Sequence, residues 1–126
     1  MDDLVFNAFN NPNHIFNPDA QYNLTGSSKD DSIGEHIVLH LYIHANRLYG
    51  ESKILRADFS AIGTPFLIAC AERFCDEIEN HTFNGAIEYC LFDDKFCGLA
   101  IPEQKVHDIN LIIQAFFMAL ETLSNK

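Results

Sequence analysis

The sequence predicts an α+β fold: a single small domain in which about three helices pack on a small antiparallel or mixed sheet. Three observations predict it. Residues 65–80 and 105–123 carry apolar side chains at helical spacing. Around them lie short runs in which apolar and polar residues alternate, and no segment is repeated. The chain has 126 residues, 48% hydrophobic and 21% charged, enough to build one core without disulfides.

The elements follow in order. Residues 1–32 carry Asn7, Asn10, Asn11, Asn13, Asn17 and Asn23, two prolines and the run GSSKDDS, a mixture that favours turns. Phe6, Phe9 and Phe16 interrupt it. We expect residues 1–32 to form an irregular arm that docks through these aromatics, with a short strand near His14 to Asn17, and residues 33–126 to form a single α+β domain. A disordered tail is the alternative for the arm.

The run GEHIVLHLYIHANRLYG, residues 34–50, fits two templates. As a strand, Ile37, Leu39, Leu41, Ile43 and Ala45 face one way, and His36, His40 and His44 face the other with Val38 and Tyr42. As a helix, Ile33, Ile37, Val38, Leu41, Tyr42, Ala45, Leu48 and Tyr49 share half the wheel, while Leu39 and Ile43 stray. Ser32 and Glu35 make a capping box and Gly50 sits where a C-terminal glycine belongs, so a helix over 33–49 is preferred.

SKILRADF, residues 52–59, alternates as a strand does. Thr64 and Pro65 open a helix over 65–80 that turns Leu67, Cys70, Ala71, Phe74, Cys75 and Ile78 inward. IEYCLF and KFCGLAIP, joined by Asp93 and Asp94, predict a hairpin that Pro102 ends. The last helix, over 105–123, has Val106, Ile109, Ile113, Phe116, Phe117, Leu120 and Leu123 on its main face, with a second apolar row of Leu111, Ala115 and Met118. That second row asks for cover, from a homodimer, a bound partner, a flanking strand or the arm.

Composition narrows the function. Eight Lys and Arg against 18 Asp and Glu give a formal charge of -10, which repels phosphates and anionic lipid, so neither nucleic acid nor membrane is expected as a partner. MDDLVFNAF lacks a basic n-region and an apolar h-region, and no stretch reaches the ~18 apolar residues of a spanning helix, so a cytoplasmic location is expected. Cys70, Cys75, Cys90 and Cys97 form no CxxC pair and are expected as reduced thiols.

Chemistry is sparse. The row His36, His40 and His44 is the candidate metal set: residues four apart lie ~6 Å from each other on a helix but ~13 Å along a strand, so only the helix chelates. HIVLH lacks the glutamate that helix-borne zinc sites place between their histidines, and His14, His81 and His107 lie in unrelated contexts, so a polar face is the preferred reading. No phosphate loop, nucleophile elbow or spaced carboxylate pair is present, and Cys70 and Cys75 belong to the core side of their helix. We therefore expect no enzyme and no cofactor. The better lead is acidic: Glu72, Asp76 and Glu79 make a carboxylate row on the side of their helix expected to face away from the core.

Residues 87–123, IEYCLFDDKFCGLAIPEQ followed by an apolar helix, resemble the tail of class I type III secretion chaperones. That resemblance implies a helix, two strands and a closing helix in a small, acidic, dimeric protein holding an effector. It covers under half of the chain, and no functional residue is carried over from it.

The function expected from the sequence is stoichiometric protein binding: a toxin-neutralising immunity protein capturing a basic toxin such as a nuclease. A chaperone for a secreted effector is the first alternative and a metal-binding protein using His36, His40 and His44 the second. The expected partner-binding residues are Glu72, Asp76, Glu79, Asp93, Asp94, Leu111 and Met118.

Overall fold

A computed structural model describes residues 9–10, 12–45, 48, 51–91 and 106–124. Strands β1 (Leu24–Asp30), β2 (Glu35–His44) and β3 (Lys53–Ile62) are followed by helices α1 (Pro65–Ile78), α2 (Phe83–Leu91) and α3 (Val106–Ser124). Among the described residues this is the expected α+β arrangement of three helices on a small sheet. The strands run antiparallel in the order β1-β2-β3.

Residues 35–44 form a strand, not the preferred helix. The reason lies in Leu39 and Ile43, which a helix would leave outside. The strand buries them beside Ile37 and Leu41 on one face and turns His36, His40 and His44 to the other. The local capping signals serve another purpose. Ser32 caps no helix; its N–H and hydroxyl donate to Asp30 Oδ1 at 2.9 and 2.5 Å inside the β1–β2 turn.

β1 lies within the stretch read as an irregular arm. Its GSS run looks like a loop, yet Gly26 serves close packing. A Cβ there would stand 2.1 Å from the Ala115 carbonyl oxygen and 2.5 Å from the Ala119 nitrogen, so α3 rests directly on the β1 backbone. Ser28 Oγ donates to Gln114 Oε1 at 3.0 Å, and His107 reaches Asp30. As α3 runs forward β1 therefore runs back, and the first turn of the helix arrives at the end of the sheet where the β1–β2 turn sits.

Helix α1 starts as expected, with Thr64 as N-cap accepting from the Leu67 N–H and Pro65 in the first turn. It buries Leu67, Cys70, Ala71, Phe74, Cys75 and Ile78. The expected hairpin fails at its start: residues 87–91 belong to α2, which Thr82 opens by accepting the Gly85 N–H at 3.1 Å. The remainder of that hairpin, with Asp93 and Asp94, lies outside the described residues. Phe116 of α3 joins Phe74 edge-on at 5.3 Å and Phe83 stacked at 5.1 Å, closing the core.

The 18 residues Val106–Leu123 pass the length and hydropathy test for a membrane span, contrary to expectation. In the fold they are a core helix, with Ile109, Leu111, Ile112, Ala115, Phe116 and Ala119 buried. Of the second apolar row, Leu111 and Ala115 are thus buried within the fold, Ala115 against β1, while Met118 stays exposed.

The arm segment 12–17 is docked, not disordered. Phe59 N–H donates to the His14 carbonyl at 2.7 Å and Phe16 N–H to the Phe59 carbonyl at 2.8 Å, a parallel bridge along the free edge of β3. Such a bridge covers an edge that would otherwise present unpaired amides.

Candidate functional site

Three chain segments meet at the end of the sheet. The β1–β2 turn brings Asp30, Ile33 and Glu35; the β3–α1 junction brings Gly63 and Thr64; the first turn of α3 brings His107 and Asp108. Together they line an open cavity of about 560 Å³. Register explains the meeting. Asp30 pairs with Glu35, and His36 pairs with Ile62, which sets Glu35 beside Gly63. Gly63 leaves room for the carboxylate, since a Cβ there would lie 2.9 Å from Glu35 Oε2 and 2.6 Å from Leu67 Cδ2.

The cavity is built from oxygen and imidazole donors. His107 Nε2 stands 3.0 Å from Asp30 Oδ2, and Thr64 Oγ1 donates to Asp108 Oδ2 at 3.2 Å. Glu35 and Asp108 are each only 4% exposed. Among the described residues, Glu35 Oε2 is the buried side-chain oxygen with no hydrogen-bond partner. Burial pushes the Glu35 carboxyl up to about 7, its hydrogen bond with the Asp108 carboxyl and that group's charge push the same way, and a hydrogen bond from the Thr64 N–H pulls it down. Asp30 is held below the usual carboxylate range, chiefly by the Ser32 hydroxyl and N–H.

The residues singled out from sequence lie elsewhere. Glu72 does not face a partner: it is 5% exposed and accepts the Asn13 and His14 N–H groups at 2.6 and 2.7 Å, with His14 Nδ1 on its other oxygen. Glu79 accepts the Ala57 N–H at 3.0 Å and lies 3.4 Å from His14 Nε2. Asp76 is half-exposed, 3.6 Å from an Arg73 nitrogen and 3.9 Å from His14 Nε2. This row clamps the arm, and the Glu72 hydrogen bond holds the His14 imidazole protonated up to about 9. Leu111 is buried in the core, and Met118 is 48% exposed. Asp93 and Asp94 lie outside the described residues.

The histidine row cannot chelate. His36, His40 and His44 stand four residues apart on one face of β2, so neighbours lie ~13 Å apart along the strand. His40 packs on the Phe16 ring at 4.2 Å and pairs with Ser60 Oγ at 3.1 Å, and desolvation lowers its pKa.

Sequence reasoning missed Asp30, Glu35, Thr64, His107 and Asp108 as a group. It met Glu35 and Thr64 only as caps and found His107 in no context. Their one shared signal is that each stands next to a strand end or a helix start.

No family model and no curated protein matches the chain. Solved structures do share the fold. An iron–sulfur cluster assembly scaffold protein for the SUF system from Fervidobacterium islandicum aligns with TM-score 0.64 at 16% identity, covering 99% of this chain and 94% of its own. The N-terminal part of a nitrogen-fixing NifU-like protein from Brucella abortus aligns with TM-score 0.61 at 10% identity, covering 99% and 94%. The whole chain is thus similar in fold to cluster scaffolds.

These findings correct the expected function. The fold is that of cluster scaffolds, not of an immunity protein or a secretion chaperone, and the basic toxin or secreted effector expected as partner falls with those readings. Glu72 and Glu79, two of the carboxylates meant to capture a toxin, are engaged within the chain, and α2 occupies a part of the segment that carried the chaperone resemblance.

Iron–sulfur clusters are held mainly by cysteine thiolates. Among the described residues no cysteine lines the cavity. Cys70 and Cys75 are buried in the core, and burial pushes the Cys70 thiol up to about 12. The described donor set does not fit a thiolate-held cluster.

Proposed function

We propose that this chain is a non-enzymatic, cytoplasmic scaffold-type protein of iron handling, which holds its cargo stoichiometrically in the cavity at the end of the sheet. The observation that carries this reading is the buried, mutually hydrogen-bonded Glu35–Asp108 pair lining a cavity that three separate segments build at the end of the sheet. The likeness in fold to two cluster scaffolds supports it. Among the described lining residues none is a cysteine or serine nucleophile beside a base, which suits holding and releasing. A scaffold must also be loaded and unloaded by other proteins, and the side of the cavity where the half-exposed Asp30–His107 pair lies is the one from which they would reach the cargo.

The test is anaerobic incubation of the full chain with ferrous iron, with and without sulfide, followed by desalting and measurement of retained iron and sulfide. Stoichiometric retained iron in either form supports the proposal. A chain that emerges free of iron from both incubations defeats it.

A further inference from the structure

We propose that Glu35 and Asp108 share one proton that works as a joint of the fold: while present it ties the start of α3 to the β1–β2 turn, and its loss loosens that end of α3. The joint is a property of the chain itself and stands apart from whatever cargo the cavity holds.

An ionised carboxylate accepts hydrogen bonds and donates none, so two carboxyl groups bond to each other only with a proton between them. Glu35 and Asp108 are bonded to each other in this way. Both are 4% exposed, and no Lys or Arg stands among the lining residues to donate in its place. Glu35 Oε2 meets no N–H or hydroxyl donor either. Thr64 completes the arrangement. Its N–H donates to the Glu35 carboxyl and its hydroxyl to Asp108 Oδ2 at 3.2 Å, while the same hydroxyl oxygen caps α1. One proton therefore closes a loop of contacts through β2, the β3–α1 junction and α3.

The other titratable groups at this end do not replace it. His107, next to Asp108 on α3, favours the ionised form of Glu35, a weaker influence than that of Asp108, and it lies 3.0 Å from Asp30 Oδ2. Asp30 on β1, held below the usual carboxylate range, is already ionised where the pair titrates. On α1 the Cys70 thiol, pushed up to about 12 by burial and by the Asp108 charge, stays neutral. Burial and the Asp108 bond keep the Glu35 carboxyl protonated up to about 7. Once the proton has gone, two buried carboxylates repel each other. Glu35 is fixed by strand register, and α3 is fixed further along, where Ala115 and Ala119 rest on Gly26. The first turn of α3 is the part that gives.

Nuclear magnetic resonance of the full chain, labelled with carbon-13, tests this. The Glu35 side-chain carboxyl should titrate near 7, roughly a few hundredfold less acidic than its ordinary value of 4.5. Because the folded value is raised, the joint is complete below 4.5 and is lost as pH rises through about 7. The amides of Asn110, Leu111 and Ile112 bond back into the first turn of α3. Their hydrogen-exchange protection, corrected for the intrinsic effect of pH, should fall about tenfold or more between pH 5 and pH 8 relative to Leu39 and Leu41 in β2. Glu35→Gln and Asp108→Asn each supply an amide N–H in place of the proton, and either should hold that protection constant over the same range. Far-UV circular dichroism shows whether each variant is folded, and the wild-type titration decides without them. A Glu35 carboxyl that titrates as a free glutamate does overturns the proposal. So does protection at the start of α3 that ignores pH in the wild type, or that follows pH equally in both folded variants. Iron retention is a separate measurement, so loss of the joint leaves the scaffold-type reading standing, and loss of the cargo leaves the joint standing.

Discussion

Two glutamates in this chain are equally buried and are used in opposite ways. Glu72, 5% exposed, has both oxygens engaged by two backbone N–H groups and an imidazole that its hydrogen bond keeps protonated. Glu35, 4% exposed, has the Asp108 carboxyl as its side-chain partner and no imidazole or guanidinium, and burial together with that hydrogen bond raises its carboxyl to about 7. Depth alone therefore says little about a carboxylate. A buried charge whose lone pairs are met by donors is a structural clamp, whereas one that leans on another carboxyl depends on a proton.

Breaking the clamp should produce the largest effect. Glu72→Leu strands the His14 imidazolium and two arm amides, and we expect a loss of about 3–5 kcal/mol in urea unfolding. Acidity gives the next largest effect. The folded pKa of His14, about 9, lies above its ordinary 6.5, so the pair's contribution is complete below 6.5 and is lost as pH rises through 9. Up to about 3 kcal/mol should disappear across that window, and a His14→Gln variant should flatten this part of the profile. A wild-type profile as flat as the variant's would show that the imidazole is not held as a cation.

At the other glutamate the sign should reverse. Glu35→Gln replaces a carboxyl oxygen with an amide able to donate to Asp108, and we expect a change between zero and about 1 kcal/mol of added stability in the metal-free chain. A loss comparable with that of Glu72→Leu would mean that Glu35 is a second clamp and not a site. Removing function while raising stability is the usual mark of a residue kept for binding.

How much of this could be read from residues alone follows the same division between local and distant signals. Helices α1 and α3 and strand β3 were legible because their apolar spacing and the Thr64–Pro65 start act within one element. β2 was misread since Ser32, Glu35 and Gly50 imitate helix ends, although Leu39 and Ile43 favour only the strand. β1 was hidden behind Gly26, whose missing side chain answers to α3, nearly ninety residues further on. IEYCL looks β-like by composition, yet the Thr82 cap commits it to α2. The cavity was the least legible, because Asp30, Thr64 and Asp108 become neighbours only through sheet register and helix docking, which no spacing along the chain encodes.

The smallest expected effect decides whether the clamp is a pair or a field. Asp76 belongs to the same acidic row as Glu72, but it is half-exposed and stands 3.9 Å from His14 Nε2. Exposed charges at such distances contribute little, because water and salt screen them and the side chain must be ordered to gain anything. Asp76→Asn should therefore change stability by less than ~0.5 kcal/mol and leave the fall of stability with rising pH where it was. The measurement is the same urea series, run on Asp76→Asn and on Glu72→Gln in parallel. If the two variants move the profile equally, His14 is held by the summed negative potential of α1, and every carboxylate of the row shares the work. If only Glu72→Gln moves it, the imidazole is held by its desolvated contact with Glu72, and Asp76 remains a solvated charge with no part in holding the fold.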